Sequence, residues 1–427
     1  MAFLDAGEAG VDELPGRDFA PAECVGSVEH AEIRGLSHRP IIAGRGPWYT
    51  RCKSARTSPP FRADHVGSLL RPSSLLQARQ DHAAGRIDGA ALRAAEDEAI
   101  REAVRMQEQV GLQASTDGEF RRTSWHMDFI YQLGGITRVP EELLTIHFHS
   151  GDGDLDATFA AMHVDAPVTL EETIFGDAFT FLRDTVQTAV PKLTIPSPSM
   201  VHYRGGRASI DPEVYPNLDA FWADLTRAYS EQIRCLAELG CTYLQLDDTS
   251  LAYLNDPAQR DYVRSIGGDP DRLHEDYIRH VNEALAGRPE TMAVTTHLCR
   301  GNYRSAWAAE GGYDFVAEAL FDQLQVDGFF LEYDDERSGT FEPLRFVPKG
   351  QKQVVLGLVT TKRGELEQAD ELKRRIEEAS NYVPVDQLCL SPQCGFASTV
   401  EGNVLTREQQ EAKLRLVVEV AHDVWGE

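Results

Sequence analysis

Residues 218–248, LDAFWADLTRAYSEQIRCLAELGCTYLQLDD, carry one complete repeat of the fold. Phe221, Leu225, Ala228, Tyr229, Ile233, Leu236 and Ala237 recur at three- and four-residue spacing, which gathers them on one side of a helix over residues 218–239. Gly240 follows where a helix end favours glycine, residues 242–246 make a short apolar strand, and Asp247 and Asp248 come directly after it.

The same alternation of short apolar runs with long amphipathic stretches continues in both directions from this unit. Strands are expected at residues 61–67, 112–116, 192–195, 242–246, 291–296, 328–331, 353–359 and 387–390. One intervening helix aligns Leu92, Ala95, Ala99, Ala103 and Met106 ahead of Gly111, and a final helix over residues 406–424 aligns Leu414, Val417, Val418 and Ala421. Strands alternating with helices in this way predict an α/β chain with a single (β/α)8 TIM barrel over residues 61–427. Residues 1–60 read as an irregular N-terminal arm, with Pro15, Pro21, Pro40, Pro47, Pro59 and Pro60 among glycines and mixed charges and no sustained apolar period. An arm that docks on the barrel or on a neighbouring subunit of a homo-oligomer fits this segment, and so does an overlong start to the reading frame.

Composition narrows the function. A net charge of −26, from 68 acidic and 42 basic residues with no basic block, argues against tracking the phosphates of nucleic acid. No apolar run has the length of a membrane span, and no signal segment opens the chain. Seven scattered cysteines suit a reducing, cytoplasmic setting better than a disulfide framework.

Function in such barrels gathers where strands end. His297 ends the fifth expected strand with Cys299 just beyond, Glu332 ends the sixth, and Cys394 follows the eighth. One imidazole, two thiolates and one carboxylate make a four-ligand zinc set, and their wide separation along the chain means a site assembled by the fold rather than by a local loop. A sulfur-rich shell suits Zn2+ that binds a substrate thiol as thiolate better than Zn2+ that generates hydroxide, so the chemistry indicated is thiol alkylation. Ser68, Glu119, His202, Asp247 and Asp248 are expected on the same rim.

Taken together, DHVGSLLRP (residues 64–72), DGEF (117–120), YLQLDD (243–248), THLCRGN (296–302), FFLEYD (329–334) and SPQCG (391–395) resemble the catalytic half of cobalamin-independent methionine synthase. The resemblance spans residue 61 to the C-terminus and implies a barrel of the uroporphyrinogen decarboxylase superfamily, with zinc held by His297, Cys299, Glu332 and Cys394. It also implies that the amino-acid substrate is gripped at Val66, Gly67, Ser68, Glu119 and Asp247. Two carboxylates suit an α-ammonium, and backbone donors at Gly67 and Ser68 suit an α-carboxylate. The pattern departs from the family on the methyl-donor side. His202 aligns with a folate-stacking tryptophan, Thr361 with a catalytic histidine, and Tyr253 with a glutamate, and the family's amino-terminal barrel has no counterpart.

The expected activity is zinc-dependent methyl transfer from a small-molecule donor to a thiol, most simply homocysteine to methionine, with His202 and Asp247 as catalytic candidates. Two other readings stand beside it: alkyl transfer from an epoxide to coenzyme M, for which Arg71, Arg121 and Arg122 would supply cations, and a catalytically silent zinc-binding barrel with a regulatory role. The zinc could also be structural, Glu119 and Asp247 could be rim ion pairs, and His202 could be a hydrogen-bonded core histidine. His147 and His149, in the insertion between the second and third strands, read as a solvated strand face rather than a site.

Overall fold

In a computed structural model, residues 56–151 and 153–426 are described, so most of the expected arm at residues 1–60 lies outside the described residues. The strands are β1 (Ala114–Ser115), β2 (Gly134–Phe148), β3 (Leu155–Thr169), β4 (Val190–Pro196), β5 (Tyr243–Asp248), β6 (Ala293–Leu298), β7 (Gly328–Glu332), β8 (Gln353–Val359) and β9 (Leu388–Pro392). Seven of them form one sheet in the order β1-β4-β5-β6-β7-β8-β9, parallel at every junction, while β2 and β3 pair antiparallel as a separate hairpin. The sheet curls towards residues 61–67, where Ala63 bridges Leu390 in parallel, Asp64 N donates to Leu390 O (3.0 Å) and Leu390 N donates to Arg62 O (2.8 Å). This is the barrel expected from the alternation, with a first strand reduced to one bridge.

Side chains explain that reduction. The Asp64 carboxylate accepts from the backbone of Phe61 (3.1 Å) and of His65 (2.7 Å), two donors that a ladder would otherwise use. Towards β1, the contact is Thr116 Oγ1 donating to Gly67 O (2.6 Å), and Gln245 Nε2 from β5 donates to Val66 O (2.7 Å). Below them Lys192 Nζ pairs with Asp64 Oδ1 (3.1 Å), both side chains fully buried, and lies over the Phe330 ring at 4.1 Å.

The helix Leu218–Glu238 forms as its period predicts. Asn217 caps it by accepting from Ala220 N (3.1 Å), Phe221, Leu225, Tyr229, Ile233 and Leu236 are buried, and Gly240 takes φ +92 past its end. The last helix, Arg407–Trp425, begins with a reciprocal capping box between Thr406 and Gln409. No described helix is long and apolar enough to cross a membrane.

The hairpin β2–β3 is an insertion between β1 and β4. Its tip is tied to the loop after β6 by two backbone hydrogen bonds, His149 N to Trp307 O (2.7 Å) and Trp307 N to His149 O (2.9 Å). Its far end is held by Asp211 N donating to Val164 O (2.9 Å) and Val168 N donating to Tyr215 Oη (2.7 Å).

Candidate metal centre and substrate cavity

The strand ends bring His297, Cys299, Glu332 and Cys394 together, each with a ligand atom within 4.8 Å of the others. Cys299 Sγ and Cys394 Sγ are 3.4 Å apart, near the roughly 3.8 Å that two sulfurs bound at ~2.3 Å to a tetrahedral zinc would keep. His297 Nδ1 faces Phe330 O (3.3 Å), which leaves Nε2 as the ligand atom, and both Nε2 and Glu332 Oε2 are buried with no hydrogen-bond partner. Buried polar atoms without partners are costly, and a shared cation satisfies them together. The residues therefore fit a thiolate-rich divalent metal.

The electrostatics point the same way. The hydrogen bond between the two sulfurs, reinforced by burial, pushes the Cys299 thiol up, and that same bond together with His297 holds Cys394 well below the ordinary thiol range. The two sulfurs thus ionise as a pair, the first proton leaving more readily than the second. Burial opposes charge on His297, but Cys394, Asp247 and Glu332 outweigh it and raise its pKa, while burial raises that of Glu332. Arg300 steadies Glu332, its backbone N facing Oε1 at 3.4 Å and its Nη1 donating to the main-chain O at 3.1 Å.

Glu119 and Asp247 stand in the same cavity, whose volume is ≈ 340 Å³ and whose lining includes Val66, Ser68, His297, Cys299 and Cys394. Glu119 sits in the turn after β1 with φ 60, a left-handed conformation that costs a non-glycine residue about 1–2 kcal/mol. Asp117 Oδ1 accepts from Glu119 N (2.9 Å) and Arg71 Nη2 donates to Glu119 O (2.9 Å), which hold that turn in place. Thr194 Oγ1 donates to Glu119 Oε1 (2.9 Å), leaving Oε2 buried without a partner. Asp247 Oδ1 accepts from Gln245 Nε2 (2.7 Å). Burial raises both carboxyls, Asp247 to about 7, against the pull of Arg122 on Glu119 and of His297 on Asp247. Gly67 allows close approach here, for a Cβ on it would stand 2.8 Å from Thr194 Cγ2.

Of the expected site residues, Gly67 and Glu332 are off the lining but belong to the Val66–Ser68 stretch and to the candidate metal set, Asp248 is off it with its carboxylate accepting from Ser250 Oγ (2.7 Å) and Leu251 N (3.0 Å), and so is His202. Its Nδ1 bonds Tyr277 Oη (2.9 Å), its ring packs on Trp222 at 5.5 Å, and burial lowers its pKa to about 4, so it is a neutral core histidine of the rim helix rather than a catalytic group. Thr361 is also away from the lining, its hydroxyl donating to Gln393 Oε1 (2.6 Å), whereas Tyr253 is on it.

Sequence reasoning missed the other half of the cavity. The β2–β3 hairpin contributes Leu144, Ile146, Phe148 and Phe159 to the lining, and Trp125, His126 and Arg204 line the cavity as well. Trp125 and His126 pack ring on ring at 4.4 Å, and burial with Arg204 nearby lowers His126 to about 3, so its imidazole is neutral. The apolar period of residues 144, 146 and 148 was available as a signal for a strand with one buried face.

The family model for the catalytic domain of cobalamin-independent synthase matches residues 61–423. The uncharacterized protein YxjH of Bacillus subtilis is 48% identical over 367 residues, covering 86% of this chain and 95% of its own. A Listeria monocytogenes structure, described provisionally as a vitamin-B12 independent methionine synthase, is 40% identical with a TM-score of 0.70, covering 87% of this chain and 100% of its own. The B12-independent methionine synthase of Shewanella sp. W3-18-1, in complex with selenomethionine, shares the fold at 20% identity and a TM-score of 0.62, covering 85% of this chain and 97% of its own. With a match that takes in every strand of the barrel and all four candidate ligands, the chain belongs to the cobalamin-independent methionine synthase family through its catalytic domain.

Proposed function

We propose that this chain is a zinc-dependent methyltransferase that alkylates the thiol of homocysteine to give methionine. The observation that carries this reading is a single cavity in which a two-thiolate metal set faces two buried carboxylates, Glu119 and Asp247. A zinc ion held by His297, Cys299, Glu332 and Cys394 would supply deprotonation of a thiol whose free pKa is about 8.5. Glu119 Oε2 and Asp247 offer acceptors to an α-ammonium, and an ammonium between them would return both carboxyls to their charged forms. The sulfur lone pair then forms the new S–C bond as the methyl carbon's bond to the donor breaks, and the donor leaves with that electron pair and takes a proton. Holding sulfur and methyl in line supplies up to ~7–11 kcal/mol of the acceleration.

A sulfonate thiol such as coenzyme M fits less well. Arg71 is spent on the carbonyls of Glu119 and Arg122, Arg121 on Glu96 and Asp97, and Arg122 on Thr194, and none of the three lines the cavity. A reducing, cytoplasmic setting agrees with Cys299 and Cys394, which at 3.4 Å are close enough to be oxidised to a disulfide elsewhere. The Shewanella protein holds selenomethionine, the selenium analogue of the proposed product.

The test is to incubate zinc-loaded protein with homocysteine and a panel of methyl donors and to look for methionine by mass spectrometry. Methionine from one donor supports the reading. Alkylated coenzyme M in a parallel incubation, with no methionine, would replace it. Retained zinc with neither proton release nor added affinity for any thiol would make the barrel a silent metal binder.

A further inference from the structure

The hairpin that walls the cavity has a second face. Along β2, Leu144, Ile146 and Phe148 turn towards the cavity, so the alternation of a strand sends Thr145 and His147 to the other side, with His149 following at the same spacing. On the partner strand His147 is opposite Asp156 and Thr145 is opposite Thr158, and Asp154 lies just ahead of β3. This outer face therefore carries His-x-His against Asp-x-Asp.

The atoms are arranged in a way that chance pairing of surface charges does not require. His147 Nδ1 is 2.7 Å from Asp156 Oδ1, while the other nitrogen, Nε2, is 3.2 Å from Asp154 Oδ2. His149 Nδ1 is 3.3 Å from that same Asp154 oxygen, and the two imidazoles meet edge to face at 4.8 Å. One carboxylate thus orients His147 through its first nitrogen, and its second nitrogen, the His149 nitrogen and Asp154 converge within 4.8 Å. A histidine held by a carboxylate through its non-ligating nitrogen is the usual support of a metal-binding imidazole. Ligand atoms at about 2.0–2.2 Å from a zinc or similar ion stand roughly 3–4 Å apart, as the Asp154 contacts do.

We propose that His147, His149 and Asp154 form a second metal site, for a borderline divalent transition ion such as Zn2+, Co2+ or Ni2+, with Asp156 orienting His147. Two imidazoles and one carboxylate without sulfur favour these ions, and three protein ligands leave room for water. The site lies back to back with the cavity wall, beside the His149–Trp307 backbone pair that ties the hairpin to the loop after β6. A metal there fastens the hairpin tip, and with it Ile146 and Phe148, without touching the substrate.

The site is tested by counting Co2+ or Zn2+ per full-length chain by equilibrium dialysis and elemental analysis. The wild type is expected to take two equivalents, the double variant His147→Ala/His149→Ala one, and Cys394→Ser one, retained at the hairpin. Cobalt in the Cys394→Ser protein should be lost on adding the two histidine substitutions. Hydrogen exchange of residues 143–149 should slow when the second equivalent binds to the wild type and not in the double variant. A wild type that saturates at one equivalent, or a second equivalent that survives both histidine substitutions, overturns the proposal. Either result leaves the methyl-transfer reading untouched, because that reading rests on the sulfur-containing centre alone.

Discussion

Cys394 is the residue on which the candidate centre turns, since Cys299 and His297 hold its thiol well below the ordinary range. Replacing it with serine is expected to strip the metal from that centre, leaving only the equivalent proposed for the hairpin, and to leave the barrel folded, which metal analysis alongside circular dichroism would register. Lost activity with full metal content would contradict the ligand assignment. Glu119→Gln and Asp247→Asn are expected to weaken homocysteine binding by about 10- to 150-fold each, the range for losing a charged hydrogen bond of ~1.5–3 kcal/mol. Titration of zinc-loaded variants measures it, and unchanged affinity would assign those carboxylates to the rim alone. That His297, Cys299, Glu332 and Cys394 would meet was legible because thiols, imidazoles and carboxylates are few in the chain and the barrel brings its strand ends together. His202 misled because burial, which no single residue announces, decides whether a histidine faces a cavity or a tyrosine hydroxyl.

Among the elements, the helices and parallel strands could be read because their periods are long or repeated. The first strand could not, because Asp64 diverts its backbone donors and composition does not say which side chain will compete with a ladder. Of the hairpin only one strand face, at His147 and His149, could be read, because an insertion breaks the βα rhythm that locates the other elements. Lys192 on β4 belongs to this scale as well. It joins β4 to the weakly laddered segment through Asp64 and His65 O (2.5 Å), with both charged side chains fully buried. Lys192→Met should cost about 3–5 kcal/mol, the penalty for breaking one side of a buried pair, tempered by the Tyr243 hydroxyl that also donates to Asp64 (2.8 Å). The midpoint of urea unfolding reads this out, and a variant as stable as the wild type would remove the pair from the barrel's support.

The whole molecule carries several histidines kept neutral by burial. His65 and His202, both nearly fully buried, fall to about 4, against 6.5 when exposed. Well above pH 6.5 neither folded nor unfolded chain protonates them, so they leave stability unchanged. As pH falls from 6.5 towards 4 the unfolded chain takes up the protons first, and stability drops by on the order of 3 kcal/mol for each such histidine. His202→Gln should therefore flatten the dependence of the unfolding midpoint on pH between about 6.5 and 4, and a slope equal to the wild type's would show that this ring is not held neutral. The barrel's unequal closure matters at this scale too. Gly67 and Ser68 sit on a stretch joined to its neighbours by one parallel bridge, by single backbone bonds such as Phe396 N to Ser68 O (3.0 Å) and by side chains, without a continuous ladder. An enzyme has to clasp and let go once per turnover, and a clasp at these two residues, as the family resemblance implies, would be mounted where the ring has the fewest rungs and would give way without loosening the rest of the hoop.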